Sequence, residues 1–180
     1  MTNWMIVTSP DNYERTRKLR FTLQGVKSRH RRKAERMAPG DRICWYLTGV
    51  RSFAATGTIT SRFFEGTEPI WVSEKKNERR AVHPQGARPP ALSASRGEAE
   101  RLSKTGDLYP WRFNIRKDHA LDPESAVQAT SLLGALAFVK RWPPQHWSLA
   151  FQGNVHELVD VDFAAIERAI ERAERKGKAA

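Results

Sequence analysis

Apolar and polar positions alternate along this chain in short runs, which predicts a sheet of brief strands with few helices between them. Residues 3–8, NWMIVT, carry β-branched and aromatic side chains up to a polar break and read as a first strand. Ser9-Pro10-Asp11 then reads as a helix start, with Ser9 as N-cap, Pro10 in the first helical position and Asp11 in the first turn. That helix extends to about Lys18. Phe21 to Val26 leads through Gly25 into a second, basic helix near Ser28 to Met37, which the turn Pro39-Gly40-Asp41 ends. RICWYL, residues 42–47, has the composition of a buried strand. FAATGTITS, residues 53–61, is its hairpin partner, and Gly57 within it marks a bulge or a bend.

Phe63, Phe64, Ile70 and Trp71 continue the apolar content, but residues 74–107 differ in kind. They are rich in Arg, Lys, Pro, Ser and Ala and lack the large apolar side chains needed to offset ordering entropy, so they read as a long polar, mobile insertion. The pattern resumes where Tyr109, Trp111, Phe113 and Ile115 alternate with Pro110, Arg112, Asn114 and Arg116, a strand with one buried face. Leu132, Leu133, Leu136 and Val139 sit at helical spacing and predict a helix over 131–140, stopped by Pro143-Pro144. Trp147 to Phe151 reads as a last short strand. Asp162 caps a final amphipathic helix with Phe163, Ile166 and Ile170 on one face, and its polar end, 176–180, is expected to fray.

These elements suit one domain over 1–175, since 180 residues provide one sizeable core. Charge narrows the partners. The net charge is +11, and between Glu14 and Arg36 ten basic residues against two acidic ones carry +8 of it. Such clustering favours a polyanion over a merely solvated face. A lone cysteine, Cys44, sits in an apolar run and can form no internal disulfide, which fits a reducing cytoplasm. The start reaches polar residues too early for a secretory signal, and no apolar run approaches a bilayer span of about 20 residues.

Catalytic and cofactor signatures are weak. The five histidines are scattered, no thiolate zinc set is possible, and neither a phosphate loop nor a dinucleotide fingerprint occurs, so no metal or cofactor is expected. The one catalytic alternative is a metal-dependent nuclease using Glu157, Asp160 and Asp162, because phosphodiester cleavage needs carboxylates that hold magnesium.

Several ordered blocks carry a family likeness: TNWMIVTSPDNY, QGVKSRHRRKAERMAPGDRICWYLTGVRSFAATGTITS, EPIW, YPWRFNI and RWPPQHWSLAFQGNVHELVDVDF. Together they resemble the EVE domain family, which belongs with the PUA-like superfamily and is related to YTH domains. The likeness spans roughly 3–73 and 108–172. It implies an α+β fold, a PUA-like curled mixed sheet or barrel surrounded by helices, and a pocket for an extruded, modified base. The family view links such domains to cytosines altered at the 5-position in DNA, and to modified bases in RNA, without catalysis.

The resemblance also distributes roles. Thr8, Ser9 and Asn12 supply polar groups to the pocket or act as plain caps. Gln24, just before Gly25-Val26, stands where related domains often carry tryptophan, so an amide replaces one aromatic wall and favours hydrogen bonds to a base edge. Trp71 falls at the position of another aromatic wall, with core packing as its other role. Tyr46 and Phe53 either border the cavity or belong to the core. Lys27, Ser28, Arg29 and His30 flank the mouth, Arg31, Arg32 and Lys33 extend the positive surface, and Gln152 and Asn154 lie near it. The partner expected is DNA or RNA carrying a modified base. A generic RNA-binding accessory domain is the alternative.

Overall fold

The computed structural model describes residues 1–68, 70 and 109–179, so the expected insertion at 74–107 and Trp71 both lie outside the described residues. In chain order the elements are β1 (Asn3–Thr8), α1 (Pro10–Lys18), β2 (Leu23–Val26), α2 (Arg31–Ala34), β3 (Arg42–Leu47), β4 (Ser52–Ile59), β5 (Phe64–Glu65), β6 (Trp111–Ala120), β7 (Val127–Gln128), β8 (Val155–Leu158) and α3 (Asp160–Ala179). The sheet order is β2-β6-β4-β3-β1-β8, with β5 on β6 and β7 on β4. Among the described residues only the β1–β3 pair is parallel, and its crossover carries α1, β2 and α2.

Curling follows from how β6 is shared. Its first residues, Trp111 to Asn114, pair with β2, whereas Ile115 to Ala120 pair with β4. A strand that leaves one neighbour for another partway along must bend between them. Register shifts between Thr56 and Gly57, and between Trp45 and Tyr46, supply the extra twist. Gly57 is required there, since a Cβ would lie 2.7 Å from the Arg116 carbonyl oxygen.

The sheet separates two apolar cores. Trp4, Ile6, Tyr13, Val26, Trp45, Ala54 and Phe113 fill the first, on the α1 side. Met5, Val7, Tyr46, Phe53 and Phe151 fill the second with Phe163, Ile166 and Ile170 of α3. Polar groups inside are paired: the buried Tyr13 hydroxyl donates to the carbonyls of Leu121 (2.8 Å) and Ala54 (3.2 Å), and burial pushes its pKa up. Asp41 of the Pro-Gly-Asp turn accepts from the backbone of Thr2 (2.7 Å) and Ala38 (3.1 Å) and from the Trp4 indole (3.0 Å), while Gly40 takes the φ of +91° that the turn needs.

Several expected elements differ. The basic helix over 28–37 is a 3-10 turn, Ser28–His30, followed by the single turn α2. Among the described residues no side chain caps it, and like charges three and four residues apart oppose its extension. No helix forms over 131–140. Instead 3-10 turns stand at Ala129–Ser131 and Val139–Arg141, because the amides of Ala137 and Phe138 bond to the Asp162 carboxylate (2.6 and 3.1 Å) and not to the preceding turn. Asp162 is therefore not the cap of its own helix; α3 begins at Asp160 and runs to Ala179, past the expected fraying point. Residues Pro144–Phe151 are a 3-10 segment where a strand was expected, and β8 follows it as the partner of β1. Arg112, expected on an open face, is buried between β2 and β5, where its guanidinium donates to the carbonyls of Tyr109 (3.3 Å) and Glu68. Trp142 is 41% exposed. Among the described residues no helix is long and apolar enough to cross a membrane.

Candidate nucleic-acid interface

The cationic segment leaves β2 and crosses the mouth of the first core. Ala34 and Met37 plug into that core, and the Trp111 indole donates to the Ser28 carbonyl at 2.9 Å, so the segment's backbone is fixed. Some of its charges are engaged. Arg31 pairs with Glu35 (2.8 Å) and covers the Trp111 ring (5.1 Å), Lys33 donates to the Val155 carbonyl, and Arg36 pairs with Glu157 while lying 5.5 Å from the Trp4 ring centroid. Arg29 and Arg32 are exposed and form no ion pair among the described residues, although Arg29 touches His30 (3.1 Å). These two guanidinium groups are the ones presented for a polyanion.

Beside them lies a polar and aromatic corner. Ser9 caps α1 by accepting from the Asn12 amide (3.3 Å), which turns the Asn12 side chain toward Tyr109, to whose hydroxyl it donates at 3.3 Å. The Lys27 ammonium sits 6.0 Å from the centre of the same Tyr109 ring. Tyr109 holds a left-handed φ of +51°, a conformation uncommon for a bulky residue. It passes directly over Gly25, where a Cβ would lie 2.7 Å from the Tyr109 Cβ, 3.0 Å from its carbonyl oxygen and against Ile70. Gly25→Ala is accordingly expected to cost about 2 kcal/mol of stability and to displace Tyr109, read as a lower urea midpoint together with changed tyrosine fluorescence.

The residues predicted for one pocket are thus divided. Ser9, Asn12 and Lys27 meet, and Tyr109 joins them. Thr8 closes the end of the β1–β3 pair, its carbonyl accepting from the Thr48 amide (2.8 Å) and hydroxyl (3.2 Å). Gln24 does not offer its amide to a base: it is buried, accepting from the Trp45 indole (2.8 Å) and donating to the Gly25 carbonyl (2.7 Å). Val26 is fully buried in the first core. Tyr46 and Phe53 face the second core on the opposite side of the sheet, because strand alternation and the bulge after Trp45 turn them away. Tyr46 stacks on Phe151 at 4.1 Å, and burial pushes its phenol up to about 12.

Asn154, expected to touch a nucleic-acid strand, is a buried clasp: it accepts from the Lys27 amide (3.3 Å) and donates to the Val7 carbonyl (3.1 Å). Gln152 is exposed, on the second-core side. The nuclease carboxylates also separate, Glu157 to Arg36, Asp160 to the Asn3 amide (2.7 Å) and Asp162 to the backbone amides of Ala137 and Phe138, and no cluster of metal-ligating side chains occurs among the described residues. Tyr109 was missed as a site residue because its alternation with Trp111 and Phe113 marked it as strand core. The following Pro110 was the available sign of a turn.

Behind the cationic segment, the half-buried His156 has an Nε2 without a hydrogen-bond partner among the described residues. Burial, then Lys33 and His30, hold its pKa below the ordinary 6.5, with the Gln152 carbonyl offsetting part of this. The unfolded chain therefore takes up the proton first as pH falls. The stability this residue contributes is complete above about pH 6.5 and is lost as pH drops toward the folded pKa. Urea midpoints measured from about pH 7.5 to about pH 5.5 should fall less in His156→Gln than in the wild type.

No family model and no curated protein matches the chain. Solved structures do. The Mmi1 YTH domain in complex with RNA matches with a TM-score of 0.58 at 7% identity, covering 97% of this chain and 80% of that one. A Rhodopseudomonas palustris protein solved by NMR matches at 0.52 and 11% identity, over 96% and 94% of the two chains. A hypothetical protein from Leishmania major gives 0.52 and 12%, over 96% of each. At these identities the likeness establishes the fold: α+β, a YTH-like, PUA-like curled mixed sheet with helices around it.

Proposed function

We propose that this protein is a nucleic-acid-binding module of the EVE type that holds one nucleobase, swung out of its strand, in the corner formed by Ser9, Asn12, Lys27 and Tyr109. Arg29 and Arg32 grip the flanking phosphates, and no bond is made or broken. The observation that carries this reading is a half-buried tyrosine in contact with an amide and an ammonium, the latter from Lys27, which leads into the segment where Arg29 and Arg32 are exposed and form no ion pair among the described residues. The YTH-like fold supports it, since Mmi1 structures of that fold contain RNA.

Stacking a base on an aromatic ring contributes about 1–3 kcal/mol, close to the few kcal/mol that extruding it costs. Net affinity then comes from phosphate contacts, and selectivity from the corner. The base most in keeping with the EVE resemblance is a 5-modified cytosine in DNA, or a modified base in RNA. Fluorescence anisotropy with matched oligonucleotides carrying plain or modified cytosine and adenine, as DNA and as RNA, should reveal preference for one modification. Tyr109→Ala should cut that preference about tenfold. A wild type that ranks the panel by length and charge alone is the generic RNA binder instead. The removal of Gln24, Tyr46 and Phe53 from the corner favours that second reading, because it leaves fewer groups to judge a base.

A further inference from the structure

A separate cleft opens on the second-core side of the sheet, with a volume of ≈ 300 Å³. Val7, Tyr46 and Phe151 form its apolar floor, and Thr48, Gly49, Arg51, Ser148, Gln152 and Gly153 its rim. Three rim positions hold left-handed backbone, Gly49 at +80°, Arg51 at +54° and Gly153 at +109°, which brings the 48–51 turn and the 152–153 loop around the opening. Arg51 is exposed, lies 5.9 Å from the Trp147 ring centroid, and makes no ion pair among the described residues. Ser148 and Gln152 likewise spend no side-chain hydrogen bond within the described protein. Edges of nearly buried apolar side chains at the bottom, a guanidinium at the lip and two uncommitted polar side chains suit a small anionic group with a planar part. The volume, at the lower end of the range of about 300–1,000 Å³ for ligand sites, limits it to something the size of one nucleotide.

The cleft is also continuous with the cationic segment. Asn154 receives the Lys27 amide on one side, while Gln152, two residues earlier, lines the cleft on the other. Two residues span at most about 7 Å, so a single strand passes from one to the other within a few nucleotides. We infer that this cleft is a second nucleotide subsite: it takes a neighbouring nucleotide of the same bound strand, with its phosphate on Arg51 and its base between the 48–51 turn and Gln152, over the edges of Tyr46 and Phe151. This rests on the nucleic-acid reading above and deepens it, since it makes single-stranded nucleic acid, running over the 152–154 loop, the ligand.

The test is anisotropy with fluorescent single-stranded oligonucleotides of two and of eight nucleotides, and with a duplex of the longer sequence. Wild type, Arg51→Ala, Gln152→Ala and Arg29→Ala/Arg32→Ala are compared, and all four positions are exposed enough to leave folding intact, which circular dichroism verifies. Arg51→Ala is expected to weaken the eight-nucleotide single strand about tenfold while changing the dinucleotide and the duplex less than twofold. Gln152→Ala should act in the same direction to a smaller extent. Equal affinity of wild type and Arg51→Ala for the eight-nucleotide strand, with Arg29→Ala/Arg32→Ala still impaired, overturns the second subsite and leaves the first reading standing. Absence of binding by the wild type to every oligonucleotide overturns both.

Discussion

Asp162→Ala is expected to lower stability by about 3 kcal/mol, read as a drop in the urea midpoint and a fall in Tm of roughly 6–12 °C. The carboxylate is fully buried and accepts the amides of Ala137 and Phe138 at 2.6 and 3.1 Å. Hydrogen bonds to a charged acceptor contribute about 1.5–3 kcal/mol each, and truncation leaves both amides without that partner. Packing follows the same bonds. They hold Leu136 and Val139 against Phe163 and Ile166 in the second core, in a stretch with no regular helix of its own. Asp162→Asn keeps one acceptor oxygen and should retain about half of the lost stability. An alanine variant as stable as the wild type would mean that apolar packing alone seats the 132–142 turns.

The double variant Arg29→Ala/Arg32→Ala should weaken binding to single-stranded oligonucleotides about 30- to 100-fold at low salt, without altering the ratio between modified and unmodified bases. Its salt dependence is the sharper measurement. Each phosphate contact contributes about 0.7 to the slope of log K against log salt for single strands, so losing two should reduce the slope by about 1.4. Arg36→Ala provides the contrast. That guanidinium is already committed to Glu157 and the Trp4 ring, so its removal should shift the slope by less than about 0.5 and act mainly on stability. Equal slopes for the wild type and the double variant would show that neither guanidinium meets a phosphate.

Local signals carried much of the fold. The strand NWMIVT, the Ser-Pro-Asp cap, the Pro-Gly-Asp turn, RICWYL with its hairpin partner, and the bulge at Gly57 are each specified by side chains within a few residues of one another, through β-propensity, capping and turn chemistry. The cationic segment was legible for the same reason, since charge density is a property of the chain itself. The helix expected over 131–140 failed because its deciding partner, Asp162, lies more than 20 residues away and takes the amides that a helix would have used. β8 was invisible because two of its four residues are polar, and it exists through pairing with β1, distant in the chain.

For the site the division is similar. Sequence order put Ser9, Asn12 and Lys27 in range of one another through a cap and a turn, yet it grouped Tyr46 and Phe53 with them and gave Gln24 a free amide. Which side of a sheet a strand residue faces, and which indole an amide finds, depend on strand register and crossover. Gln24 meets Trp45 and Tyr109 meets Asn12 only after β2, β6 and β3 have taken their places. Composition and local pattern therefore determined the partner class and most of the strands, because both arise from short-range chemistry. The curl of β6, the two cores and the assignment of each aromatic ring to a corner, a cleft or an interior were decided by long-range pairing, which no short window of residues encodes.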